Sequence, residues 1–273
     1  MEIKLPDINE LISEIVKIES SYNGEIHRIE SWIQKHRRQI EENRELVKSR
    51  SDKADIEILI SILRDLLVRA IKGESGEKVY TELRNSIKSK QDLKEKNYRQ
   101  ILRNAKYRWG EEVGNQVITD VVTIFAQKFK WDWKGYFDRA EKYHETDFQE
   151  DELLKIKNIK LKVRDLALSS FNSNYVANDL HVTRVITRIG LLNYGYDLLK
   201  NNKLEMGNNP NNKENYLFLH RLIQKLSKLT DYKYFPADLD RIFWHFGKST
   251  CGAKPMCSKC TIKNLCLTGQ YKK

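Results

Sequence analysis

An all-α fold is predicted for this chain by three observations. Apolar residues recur at intervals of three and four along most of its 273 residues, it holds only 4 prolines and 12 glycines, and no long run alternates β-branched with polar residues. The length admits one large domain or two modest ones with a complete hydrophobic core, so no disulfide staple is needed. Many short helical segments predict an orthogonal array rather than a bundle of long rods. There is no internal repeat, heptad seam or low-complexity tract.

In chain order, Ile8, Leu11, Ile12, Ile15 and Ile18, then Ile26, Ile29, Trp32, Ile33 and Ile40, place two amphipathic helices between Asp7 and Ser49, broken near Asn23-Gly24. The stretch from His36 to Lys53 mixes charges of both signs and reads as a solvated helix. Ile58, Leu59, Ile62, Leu63, Leu66 and Leu67 give Ile56 to Ile71 an apolar face wide enough for a buried core helix, ended by Lys72-Gly73. Polar breaks separate further helices at Glu77 to Lys88, Lys96 to Tyr107, Glu112 to Lys130, Trp133 to Tyr143 and Glu152 to Leu154. A second run covers Lys162 to Phe171 and His181 to Lys200. Asn201 to Lys213 has almost nothing to bury and reads as a surface loop, after which helices resume at Tyr216 to Leu229 and Asp238 to Phe246. Trp109, Trp131 and Trp133 are assigned to the core, where tryptophan at helix interfaces usually sits.

Lysine and arginine number 49 against 38 acids, a formal charge of +11 that makes a polyanion the first partner to expect. No stretch reaches the roughly 18 uninterrupted apolar residues of a membrane span. Met1-Glu2-Ile3-Lys4 also lacks the apolar core of a secretory signal, so an intracellular protein with no membrane partner is expected.

All four cysteines fall in one segment, Cys251-x5-Cys257-x2-Cys260-x5-Cys266, whereas a disulfide scaffold would scatter them. Such a segment can wrap one metal centre. Structural zinc commonly pairs two C-x2-C knuckles and only one is present, so the wider outer spacings favour a 4Fe-4S cluster, with zinc as the alternative. The same segment carries Lys248, Lys254, Lys259, Lys263, Lys272 and Lys273 and no acid, which suits it to clamp phosphates.

Phe243 to Cys260 resembles the cluster loop of the endonuclease III branch of helix-hairpin-helix DNA glycosylases. The small-polar-Cys approach and Lys254-Pro255 before the second cysteine both match, though the first loop is one residue shorter than is usual there. Asp179-Leu180-His181-Val182-Thr183-Arg184-Val185-Ile186-Thr187-Arg188 resembles the family segment carrying the catalytic aspartate, which Asp179 would then be. Asp179 also reads as the N-cap of a helix starting near His181. Ile156-Lys157-Asn158-Ile159-Lys160 stands where the family has its hairpin, leucine-proline-glycine-valine-glycine, ahead of the helix with the catalytic lysine. By that register the lysine is Lys162; a shift of two residues nominates Lys160. Lys157, Asn158 and Lys160 thus replace the proline and both glycines. Glycine admits positive φ and a close backbone approach to phosphate, for which Asn is a partial substitute, while Lys157 and Lys160 bring charge instead. Where the family places a glutamine wedge, this chain offers Leu66, Leu67 and Arg69.

The resemblance implies a two-lobed helix-hairpin-helix glycosylase fold: an N-terminal helical extension over 1–53, a helical lobe over 54–148, a lobe with hairpin and aspartate segment over 149–246, and an iron-sulfur cluster loop over 247–273. It implies a monomer acting on lesion-bearing double-stranded DNA by base flipping. Lys162 would be the Schiff-base nucleophile of a glycosylase with AP lyase activity, and Asp179 would stabilise the sugar cation and assist proton transfers. Lys157, Asn158, Lys160, Arg184, Arg188, Lys254 and Lys259 would contact DNA. Two other readings compete: a catalytically inactive iron-sulfur nucleic-acid-binding protein, in which the altered hairpin marks lost chemistry, and a zinc-bearing helical interaction module.

Overall fold

The computed structural model describes residues 6–67, 73–95, 97–145, 150–198 and 213–271. Of the loop expected over Asn201 to Lys213, residues 201–212 lie outside these residues, as do Arg69 of the wedge position, Lys272 and Lys273, while Lys213 begins a helix. The elements in chain order are α1 (Ile8–Ile15), β1 (Glu19–Tyr22), β2 (Glu25–Arg28), α2 (Ile29–Ser49), α3 (Asp52–Leu67), α4 (Gly73–Ser86), α5 (Asp92–Glu95), α6 (Tyr98–Asn104) and α7 (Glu111–Thr123). A π-helical turn (Ile124–Lys128) continues α7, followed by α8 (Trp133–Glu145), α9 (Glu152–Lys155), α10 (Leu161–Ser169), α11 (Leu180–Ile189), a 3-10 stretch (Leu191–Leu198), α12 (Lys213–Leu229), α13 (Pro236–Ser249) and α14 (Leu267–Tyr271). Among the described residues, no helix is long and apolar enough to cross a membrane.

The chain forms two compact units, one of residues 1–38 and 172–273, the other of residues 39–171. The boundary differs from the one expected near residue 149, because the hairpin segment packs on α3: α10 and α3 share an extensive contact.

In the first unit, Asp7 caps α1 by accepting from the Glu10 amide at 2.8 Å. The helix buries Leu11, Ile12 and Ile15 against Val182, Val185, Ile186 and Ile189 of α11, Leu219, Leu222 and Ile223 of α12, and Leu239, Ile242 and Phe243 of α13. Each such side chain contributes about 1.5–3 kcal/mol on burial. The break expected between two helices near Asn23-Gly24 is instead the turn of an antiparallel hairpin, in which Tyr22 pairs with Glu25. Asn23 at φ 50° and Gly24 at φ 81° supply the two positive φ values a two-residue hairpin turn needs. The helical spacing around it was misleading because Ile26 is exposed, not core.

That hairpin is fastened to α13 by aromatic side chains. Ser20 Oγ lies 2.9 Å from His245 Nδ1, and the Trp32 ring stacks on His245 with centroids 5.6 Å apart. Trp32 Nε1 donates to the Ser20 carbonyl at 3.0 Å, and Lys248 Nζ donates to the Ser21 carbonyl at 3.1 Å. Arg37 Nε and Nη2 donate to Asp238 Oδ2 at 3.0 and 2.7 Å, tying α2 to the first turn of α13. Burial, with help from Arg241 and Lys248, pushes the His245 imidazole down to about 3.

The second unit is built on α3, which is buried along most of its length. Its polar interior is fully paired at the centre. Arg164 of α10 is fully buried, with Nε and Nη2 donating to Asp151 Oδ2 at 2.9 and 2.8 Å and Nη1 donating to Asp165 Oδ1. Tyr136 Oη donates to Asp151 Oδ1 at 3.2 Å, and the same carboxylate caps α9 by accepting from the Leu153 amide at 2.9 Å. Trp133, 3% exposed, donates from Nε1 to Asp55 at 2.8 Å.

Two outcomes follow from these cores. Arg164→Met removes the cation between two buried carboxylates and is expected to cost about 3–5 kcal/mol in denaturant unfolding. His245 is neutral in the fold down to about 3, whereas the unfolded ring protonates near 6.5. Its contribution is therefore whole above about pH 6.5 and is lost as pH falls toward 3, by up to about 1.4 kcal/mol per pH unit. Urea midpoints of His245→Gln should lack that part of the acid slope.

Candidate active site and metal centre

The helices α9 and α10 form a helix-hairpin-helix. Ile156 and Ile159 are buried beneath the turn, and the Ile159 amide donates to the Ile156 carbonyl at 3.0 Å. Asn158 takes the left-handed conformation at φ 76°, which among residues with a side chain Asn adopts most readily. Lys160, at the second glycine position, sits at φ −120° and ψ 170°, extended backbone open to any residue. Only one of the two glycine positions therefore demands unusual backbone here, and Asn occupies it. Lys157, Asn158, Lys160 and Lys162 are all exposed, Lys162 in the first turn of α10.

Asp179 lies in the other unit, 7% exposed, as the N-cap of α11. Its Oδ1 accepts from the amides of His181 at 2.7 Å and Val182 at 3.1 Å, and its carbonyl accepts from Thr183 Oγ1 at 2.8 Å. His181 Nδ1 is buried with no hydrogen-bond partner among the described residues. α13 crosses this first turn so closely that a Cβ on Gly247 would fall 2.9 Å from the His181 carbonyl oxygen.

Near its other end α11 carries Arg188, whose guanidinium faces the cysteine loop. Nη1 donates to the carbonyls of Gly252 at 2.6 Å and Cys251 at 3.3 Å and lies 3.7 Å from Cys251 Sγ; Nη2 donates to the Ala253 carbonyl at 3.2 Å. The Arg188 carbonyl in turn accepts from Thr268 Oγ1 at 2.9 Å and Cys266 Sγ at 3.4 Å. Arg188 was expected to contact phosphate, and the structure gives its fork to the loop instead; Arg184 is half-buried. One turn of separation from Arg184 carries no signal for this role.

Cys251, Cys257, Cys260 and Cys266 line one small cavity with Arg188, Phe246 and Ile262. Burial pushes the Cys260 and Cys266 thiols up. Lys254 and Lys259 are exposed on the same loop.

The tryptophans divide. Trp133 is core and Trp131 half-buried, with Lys90 Nζ 5.1 Å from its ring centroid. Trp109 corrects the core assignment: it is 45% exposed, with the Arg108 guanidinium 5.8 Å from its ring, in an open concavity lined also by Arg103, Lys106 and Tyr107. Gly110, at φ 85°, turns the chain directly after it into α7. Arg108 before Trp109 and Gly110-Glu111-Glu112 after it are the sign in the sequence that this Trp is not core.

Arg188→Met should leave α11 intact but free the carbonyls of 251–253, so tryptic cleavage after the exposed Lys259 of the same loop is expected to quicken while the bulk of the unit stays protected.

No described protein family and no curated protein matches the sequence. Among solved structures, a trapped endonuclease III–DNA covalent intermediate, an estranged-adenine complex, is similar at a TM-score of 0.55 and 17% identity, covering 88% of this chain and 97% of that one. The likeness is one of fold: this all-α chain is similar in fold to that endonuclease III.

Proposed function

We propose that this chain is a DNA repair glycosylase with abasic-site lyase activity, acting as an intracellular monomer on double-stranded DNA that carries a damaged or mismatched base. The observation that carries the reading is α11, which holds Asp179 at its head and Arg188 on the cysteine loop near its foot, in a fold similar to an endonuclease III caught covalently on DNA.

A stacked base is out of reach, so the nucleotide is flipped from the duplex before chemistry. The Lys162 ammonium sheds a proton, its amine attacks the anomeric carbon, the glycosidic bond breaks, and the base leaves with its electron pair and a proton. Asp179 stabilises the positive charge that develops on the sugar and moves protons as the ring opens to a Schiff base. β-Elimination of the 3′ phosphate then cuts the strand, and water releases the enzyme. Lys157, Asn158, Lys160, Arg184, Lys254 and Lys259 grip the backbone. Arg188 acts through the loop that bears Lys254. Trp109, exposed beside Arg108, is of a kind that stacks on nucleobases.

The donor set fits a 4Fe-4S cluster held by Cys251, Cys257, Cys260 and Cys266. The single C-x2-C pair with wider outer spacings favours the cluster over zinc, which commonly pairs two such knuckles. When bound, the cluster closes the basic loop into a fixed shape.

Borohydride trapping tests the enzyme directly. Wild-type protein is expected to be captured on abasic or lesion-bearing duplexes, and Lys162→Ala to lose capture by at least about a hundredfold. Equal capture by Lys162→Ala, or neither capture nor excision across oxidised pyrimidines, 8-oxoguanine, uracil and mismatched adenine, would sink the proposal. Elemental analysis should find about four iron atoms per chain; zinc alone would overturn the cofactor.

A further inference from the structure

The reading above makes no use of the N-terminal arm, yet the arm reaches within three side chains of Asp179. Tyr22 of β1 meets Trp32 and Trp244 edge-on, with centroids 5.6 and 5.7 Å away. Trp244 meets His181 at 6.1 Å and 69°, and the His181 amide makes the shorter of the two hydrogen bonds to Asp179 Oδ1, at 2.7 Å. Trp244 thus touches the hairpin and the first turn of α11 at once.

The setting of α13 matters here because it has no slack against α11. At Gly247 even a methyl group would collide with the His181 carbonyl and Cβ, at 2.9 and 3.0 Å. A small rotation of α13 therefore pushes on the turn whose amides hold the carboxylate. What fixes that rotation is the strap of Ser20 on His245, Trp32 stacked on His245, and Lys248 on the Ser21 carbonyl.

We infer that the β1–β2 hairpin is a positioning element for Asp179, with Tyr22 acting through Trp244 and His181 to hold the first turn of α11. The inference rests on the proposed function only in treating Asp179 as catalytic. A group misplaced by a fraction of an ångström at a reacting carbon loses rate far more than it loses substrate affinity.

The test uses full-length protein and reads two quantities. In Tyr22→Ala, amide hydrogen exchange at His181 and Val182 should quicken roughly tenfold, while Ile186 and Ile189 further along the same helix stay within about twofold of wild type. In the same variant, base excision should lose about tenfold in kcat with KM within about twofold, and Tyr22→Phe, which keeps the ring edge, should restore both readouts. Unchanged exchange at 181 and 182 in folded Tyr22→Ala overturns the inference. So does a loss confined to KM, which would make the hairpin a DNA contact, or a Tyr22→Phe as impaired as Tyr22→Ala. Should Tyr22→Ala not fold, Tyr22→Leu keeps the bulk without the aromatic edge and is read at the same amides. A wild-type protein that excises nothing would sink the glycosylase reading, while the exchange measurement would still decide the strap.

Discussion

A ten-residue helix, α11, carries more of this molecule's organisation than its length suggests. Its inner face of Val182, Val185, Ile186 and Ile189 is completely buried, so it cannot tilt without opening the core it shares with α1, α12 and α13. At about 1.5 Å of rise per residue it is a rod of about 15 Å. Asp179 is bonded to one end of that rod and Arg188 clasps the cysteine loop near the other. The carboxylate and the loop are in consequence set against each other by a rigid element rather than by a flexible connection. Gly190, at φ 96°, ends the helix where Leu267 packs 3.2 Å from its Cβ position, so the turn beyond the rod is also confined.

The other unit solves a different problem. A hairpin must turn sharply between two short helices, and α9 has only four residues, too few to hold itself by its own hydrogen bonds. Asp151 caps α9, Arg164 projects from α10, and the buried ion pair between them bolts the two helices together with Asp165 and Tyr136 closing the remaining valences. Buried pairs of this kind add little net stability compared with apolar packing, but breaking one is costly. Their value here is geometric: the pair exists only when the turn between Ile156 and Lys160 has its native shape.

How much of this was legible in the sequence follows from which physical effects leave a local trace. Helical periodicity located α1, α3, α10, α12 and α13 because their buried faces repeat at the helical period. Asp179 at the head of α11 is legible because capping imposes a residue type, and the gathering of the four cysteines about one cavity because they share one short segment. The β-hairpin is not, since Ile26 and Ile29 continue a three-residue spacing across it, although Asn23-Gly24 is itself a hairpin-turn signal. Arg188's attachment to the loop and the Asp151–Arg164 bolt join residues whose neighbours in sequence say nothing of the partner. The exposure of Trp109 is not legible from its hydrophobicity, because burial depends on where the surrounding turn sits in the fold.

The lysines of the hairpin acquire a definite meaning once the backbone is in view. With glycine at both positions a hairpin holds phosphate through backbone amides at short range. Here Asn158 preserves the left-handed turn, and Lys160 adopts an extended conformation that needs no glycine, so the backbone path survives both substitutions. What changes is the surface of that path, where side chains now stand between the amides and any approaching anion. Lys157 and Lys160 supply full charges on long, mobile stems in exchange, an attraction that acts from further away and is screened more strongly by salt than a short amide contact. On the proposed reading, then, the hairpin keeps its shape but shifts its grip on DNA from geometry toward charge. The chain's excess of cations is what makes such a shift workable.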